Sequence, residues 1–259
     1  MLSAANISYN AGKKNILRDV TARFLPGEFT MILGPNGSGK STFLKIFSGE
    51  IQSFGGSVNY ENKNLHNIQK EALATYRAVM SQQPELSFPL TVEEVVMMGR
   101  YPHFTFNPSK KDLDICHAAL KLLSLSDFKH RDYTTLSGGE KQRVQFARVL
   151  SQIWEPPVSG KHYLFLDEPL NNLDIRFQHD FLKTALQFKD RHTILVAVMH
   201  DINLAAQYGD SLLFMNKGTV KVQGRPDEVL TAPLIREIFE VDVTVSVHPV
   251  HGSPVLLHN

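Results

Sequence analysis

Short apolar runs punctuated by Gly and Pro open the chain. Alternating or apolar stretches at residues 16–24, 29–33 and 57–60 predict β-strands, separated by Pro26-Gly27 and Gly55-Gly56. Between the second and third runs lie a Gly-rich loop and a helical segment over 41–48. The period then changes. Thr91 with Glu94, and Ser109 with Asp112, are capping boxes that predict helices over 92–98 and from 109 to about 123. Pro84, Pro89, Pro102 and Pro108 interrupt the chain around the first of these, and a third helix is expected over 139–151. Further on, strand patterns at 163–166, 193–198 and 211–215 alternate with helical patterns near 175–189 and 203–208. Such alternation predicts a parallel sheet covered by helices. Residues 154–161 read as a surface loop, because Pro156-Pro157 can continue neither a helix nor a central strand. No internal repeat or low-complexity tract is evident.

Composition narrows the setting. A hydrophobic fraction of 42% over 259 residues provides for one large core without disulfides or metals. With 27 basic against 26 acidic residues and no long basic stripe, the charge pattern argues against a nucleic-acid partner. The single cysteine, Cys116, excludes an intrachain disulfide, and its place in the pattern Leu113, Cys116, Leu120 marks it as a packing residue. Residues 1–10 do not read as a signal peptide, and the longest apolar run, 194–199, is far shorter than the roughly 20 residues a bilayer requires. A cytosolic chain is expected, unless a partner holds it at a membrane.

Three motifs carry chemistry. Gly34-Pro35-Asn36-Gly37-Ser38-Gly39-Lys40-Ser41 fits G-x-x-x-x-G-K-[ST] in full, after a predicted strand and ahead of a predicted helix. Glycines let backbone N–H groups turn in around phosphates, and the helix presents its positive end. Lys40 supplies charge for the β- and γ-phosphates, and the Ser41 hydroxyl is a hard ligand suited to Mg²⁺. The apolar strand 164–166 then runs into Asp167 and Glu168, two carboxylates at the mouth of a parallel sheet. Asp167 suits the Mg²⁺ shell through water, and Glu168 suits a general base that activates water. Third, Leu136-Ser137-Gly138-Gly139-Glu140 makes a second anion-binding helix start in one chain. One nucleotide needs only one cradle, so two copies meeting head to tail would explain the second. Taken alone, this turn also reads as an ordinary capped helix start.

Residues 34–41, 136–143 and 164–168 resemble the Walker A, signature and Walker B motifs of ABC transporter ATPases, in matching order and separation across essentially the whole chain. The resemblance implies an α/β fold: a P-loop NTPase (RecA-like) core, an N-terminal antiparallel β subdomain and an inserted helical subdomain over roughly 85–155. All belong to one domain over 1–259 with a tail from 231. It also implies ATP and Mg²⁺ as cofactors, with Thr42 added to the ATP site. Ser137, Gly138, Gly139 and Glu140 would bind the ATP of a second copy. Tyr9 takes the place of an adenine-stacking aromatic, Gln82 that of the glutamine at the metal (Gln83 is the other register), and His200 that of the γ-phosphate histidine. Asp174 anchors the D-loop, but Leu170-Asn171-Asn172-Leu173-Asp174 departs from the small residues of Thr-Ser-Ala-Leu-Asp.

The segment 91–103 and the tail 239–254 resemble importers of iron-siderophores, haem and cobalamin, and the extension 150–155 is most similar to the haemin-import branch. The implied partners are a second copy, a transmembrane permease dimer and, indirectly, a substrate-binding protein, which would hold the chain at the cytoplasmic face of the membrane. Siderophore or cobalamin import remains the alternative, followed by a soluble non-transport ABC ATPase. A small-molecule kinase would leave Ser137–Glu140 without a role. The tail histidines His248, His251 and His258 are expected to be solvated rather than haem ligands.

Overall fold

The computed structural model describes residues 1–81, 89–157 and 160–258. In chain order, β1 (Leu2–Ala11), β2 (Lys14–Phe24) and β3 (Phe29–Leu33) lead into α1 (Lys40–Phe47), β4 (Gly55–Tyr60) and β5 (Lys63–Asn64). Then come α2 (Lys70–Tyr76), β6 (Arg77–Met80), α3 (Val92–Met97), α4 (Lys110–Leu122) and α5 (Gly138–Gln152). Next are β7 (His162–Asp167), α6 (Ile175–Gln187), β8 (Thr193–Val198), α7 (Ile202–Tyr208), β9 (Ser211–Asn216) and β10 (Thr219–Gly224). The chain closes with α8 (Pro226–Val229), α9 (Ala232–Phe239), β11 (Val243–Val247) and β12 (Pro254–His258).

The chain divides into two compact units, one made of Met1–Ile68 with Thr193–Asn259, the other of Gln69–His192. In the first, β2-β1-β4-β5 form an antiparallel sheet. Its strands alternate buried and exposed positions, as a sheet with one covered face must. β1 carries register shifts around Ile7 and Tyr9, and Asn6 sits there at φ 56°. A second set runs β10-β9-β3-β8, with β3 parallel to both neighbours and β9-β10 antiparallel. Every residue of β3 and of β8 is buried, which explains their continuous apolar runs. The core between α1 and β2 is aromatic: Phe24 and Phe43 each meet Phe47 edge to face, at 4.8 and 4.6 Å between centroids. The tail forms the hairpin β11-β12, fastened to α7 where the Asn203 side chain exchanges hydrogen bonds with the backbone of Leu256 at 2.7 and 3.2 Å.

In the second unit β6 and β7 pair in parallel, Met80 opposite Leu166. The capping boxes at Thr91/Glu94 and Ser109/Asp112 both form and start α3 and α4, and a third, Ser137/Glu140, starts α5. Residues 98–103 make a 3₁₀ turn against α5 so close that a Cβ on Gly99 would lie 2.0 Å from the carbonyl oxygen of Arg148. Beside it Arg100, only 2% exposed, donates to Asp112 Oδ1 (2.9 Å), the Ser151 carbonyl (2.7 Å) and Glu155 Oε2 (2.9 Å). One guanidinium thus joins α4, the end of α5 and the loop beyond it. Cys116 is fully buried, and burial pushes its thiol up to about 12.

Candidate nucleotide site

In the first unit the Gly-rich loop joins β3 to α1. Gly34 leaves β3 at φ 150°, and a Cβ there would sit 2.1 Å from the carbonyl oxygen of Met215, so no side chain is tolerated. Asn36 and Gly37 are exposed at the crest, while Ser38 is buried. Ser38 N–H donates to Pro35 O at 3.2 Å, and Ser38 O accepts from Gly218 N–H at 3.1 Å. Gly39 is the N-cap of α1 in the left-handed region, and it offers no side-chain cap. The first N–H groups of a helix have no intrahelical partner, so α1 begins as a cradle that a phosphate can complete. Lys40, 5% exposed, reaches back across the loop to donate to Gly34 O (2.8 Å) and Pro35 O (3.1 Å). Ser41 and Thr42 follow, half-buried in the first turn.

His200 is exposed two residues past β8, and Asp201 beside it N-caps α7 by accepting from Leu204 N–H at 2.9 Å. Met199 N–H donates to Ile32 O at 3.0 Å, which ties the approach to His200 to β3. Tyr9 is half-buried in β1 opposite Leu17, so it is no core residue. Gln82 and Gln83 lie outside the described residues.

In the second unit Asp167 ends β7 and is 2% exposed. Glu168 follows at φ 51°, a left-handed backbone that costs a non-glycine residue about 1–3 kcal/mol and recurs at functional sites. The next turn is tied down from two sides. Asn171 donates from its backbone N–H to Glu168 O (3.4 Å) and from its side-chain amide to Glu168 Oε2 (2.9 Å). From α5, Gln142 Nε2 donates to Pro169 O at 2.8 Å. Asp174 then N-caps α6, accepting from Phe177 N–H at 3.0 Å. Neither Gln142 nor Asn171 was assigned a role from sequence. The available signal is that the stretch 170–174 departs from the small-residue D-loop pattern that the sequence resemblance implies.

Ser137 and Glu140 close their capping box at the start of α5: Ser137 Oγ accepts from Glu140 N–H (3.3 Å), and Glu140 Oε2 accepts from Ser137 N–H (2.7 Å). The bond from the Ser137 backbone, followed by that from its hydroxyl, holds the Glu140 carboxyl below the usual range. Gly138 and Gly139 pack on the D-loop, where a Cβ on Gly139 would meet Asn172 O at 3.3 Å. An open groove of about 490 Å³ runs past Ser137, Gly138, Arg143, Asn172 and Phe177.

Within the first unit, the glycine cradle, the Lys40 charge and the Ser41 hydroxyl, a hard oxygen donor, are of the kind that nucleotide phosphates and Mg²⁺ take. The phosphate cradle between a buried parallel strand and a helix defines the class: a P-loop nucleotide-binding protein.

Residues 17–171 match the family model for ABC transporters, and the chain belongs to that family. It is 43% identical over 257 residues to the hemin import ATP-binding protein HmuV of Gloeobacter violaceus, covering 99% of this chain and 94% of the relative. It is 40% identical to the HmuV of Bordetella avium, covering 99% and 98%. Among solved structures, an inward-facing metal-chelate type ABC transporter shares the fold at a TM-score of 0.81 and 22% identity, covering 99% of this chain and 96% of that one. A dimeric bacterial ABC transporter cassette matches at a TM-score of 0.74 and 26% identity, covering 87% and 98%. The chain is an ABC-type ATP-binding subunit that hydrolyses ATP, and the fold expected from its motifs is the one observed.

Proposed function

We propose that this ATPase drives haem import through a transmembrane permease. The observation that carries the reading is the 43% identity to a hemin import ATP-binding protein along 99% of the chain. Among the described residues no helix is long and apolar enough to cross a membrane. The reading therefore has the permease hold the chain at the cytoplasmic face, with a substrate-binding protein delivering cargo on the far side.

In this reading two copies bind two ATP. Residues 34–42 cradle the phosphates, Lys40 neutralises their charge and Tyr9 stacks on adenine. Ser41, Gln82 and, through water, Asp167 would hold Mg²⁺, which when bound would offset charge on the β- and γ-phosphates. Glu168 takes a proton from the attacking water, and His200 orients the γ-phosphate. Ser137, Gly138, Gly139 and Glu140 meet the ATP held by the other copy, and Asp174 keeps the D-loop in place. ATP then favours the closed pair by its differential affinity, and hydrolysis removes that preference. The domain layout that goes with this reading is one ABC domain over 1–259, with a helical subdomain over roughly 85–155 and a tail over 231–259.

The test is ATPase activity in proteoliposomes holding the cognate permease and binding protein, with haem compared against a ferric siderophore and cobalamin. Stimulation by haem alone is expected. Stimulation by either of the others in its place would reassign the cargo, and failure to assemble with any permease would turn the reading toward a soluble ATPase.

A further inference from the structure

We infer that Asn171 is a positioning residue for Glu168, so that the aim of the general base follows the D-loop; this rests on the reading of Glu168 as that base. The Asn171 Nδ2 atom lies 2.9 Å from Glu168 Oε2. An ionised carboxylate only accepts, so it is the amide nitrogen that faces it, in a charge-assisted bond. The root of the Glu168 side chain is set by its backbone at φ 51°, and its tip is set by Asn171. Between these two constraints the carboxylate has little freedom to turn.

Asn171 is itself anchored. Its backbone N–H closes the turn onto Glu168 O at 3.4 Å. The following Asn172, at φ 63°, lays its carbonyl 3.3 Å from where a Cβ on Gly139 would sit, and its Cβ 3.6 Å from that of Gly138. Gln142, one turn into α5, holds Pro169 O. Signature helix, D-loop and Glu168 are thus joined inside the second unit, and Asn171 is a side chain that reaches the carboxylate. The asparagine at 171 therefore meets the base by a direct bond.

The test is steady-state ATP hydrolysis by the full chain carrying Asn171→Ala, Asn171→Asp, Glu168→Gln, or Glu168→Gln with Asn171→Ala. Asn171→Ala is expected to lower kcat roughly tenfold with KM for ATP unchanged, the scale of one lost hydrogen bond to a charged group. Asn171→Asp keeps the shape but sets acceptor against acceptor, and should fall at least as far. In the Glu168→Gln background the same removal of Asn171 should change the residual rate by less than about twofold, because the carboxylate it positions is already gone. An equal loss in both backgrounds, or a rise in KM with kcat intact, would mean a structural role and overturn the inference. If Asn171→Ala fails to fold, Asn171→Asp decides by the same comparison. Wild-type turnover in Glu168→Gln would overturn the base assignment itself. Wild-type turnover in Asn171→Ala beside an inactive Glu168→Gln would overturn the positioning role alone.

Discussion

The side-chain amide of Gln142 donates to the backbone carbonyl of Pro169 across 2.8 Å, so the signature helix grips the residue that follows Glu168. Both partners are buried. Gln142→Leu would leave that carbonyl without its donor, at a cost of about 1–3 kcal/mol. The denaturant midpoint should fall accordingly. An unchanged midpoint would mean that the strained turn at Glu168 is supported elsewhere.

Lys40 holds its own loop through Gly34 O and Pro35 O, and its charge is the one the phosphates meet in the proposed site. Lys40→Met is expected to weaken ATP binding by about 10- to 100-fold, the range for hydrogen bonds to charged groups. Calorimetric titration with ATP reads this directly, and wild-type affinity would remove Lys40 from the phosphate site.

Ser137 stands exposed at the start of α5, where an arginine side chain projects outward without entering the core. Ser137→Arg should therefore leave ATP binding by the single chain intact while abolishing hydrolysis, if the site is completed by a second copy. Unchanged turnover would refute the composite site.

Asp112 is placed to report on acid stability. Burial raises its carboxyl, but hydrogen bonds from Ser109 and then the Arg100 guanidinium together pull it below the usual range. A folded pKa below the unfolded one contributes stability above the unfolded value, about 3.9, and that contribution is lost as pH falls through the folded one. Asp112→Ala removes one partner of a buried charge and should cost about 3–5 kcal/mol at neutral pH. The difference from wild type should shrink below about pH 4. Urea unfolding at pH 7 and pH 3 would check it, and a pH-independent gap would contradict the ion-pair account.

Much of the candidate site is legible in the chain because its motifs are local. The cradle at residues 34–41 lies within one turn, and the boxes at Thr91/Glu94 and Ser109/Asp112 join residues three apart. The strands 29–33 and 193–198 show as mostly apolar runs because both faces are covered. β1 escaped notice because bulges around Asn6 and Tyr9 break its alternation. The hairpin β11-β12 was read only as a tail, since its pairing depends on partners rather than on spacing. Arg100 was equally silent: it reaches Asp112, Ser151 and Glu155, contacts that no local pattern encodes. Asn171 was visible as a departure, but its role needed the direction of its side chain.

Cys116 has a practical consequence. The one thiol in the chain is enclosed, and burial holds it protonated far above neutral pH. Maleimide and iodoacetamide reagents attack thiolates they can reach, so the native protein should stay unlabelled without any cysteine having to be removed. A cysteine introduced at Ile175, which is 75% exposed one residue beyond Asp174, could then carry a lone fluorophore or spin label at the edge of the D-loop. Movement of that loop through the ATP cycle could be followed by spectroscopy in an otherwise unaltered chain.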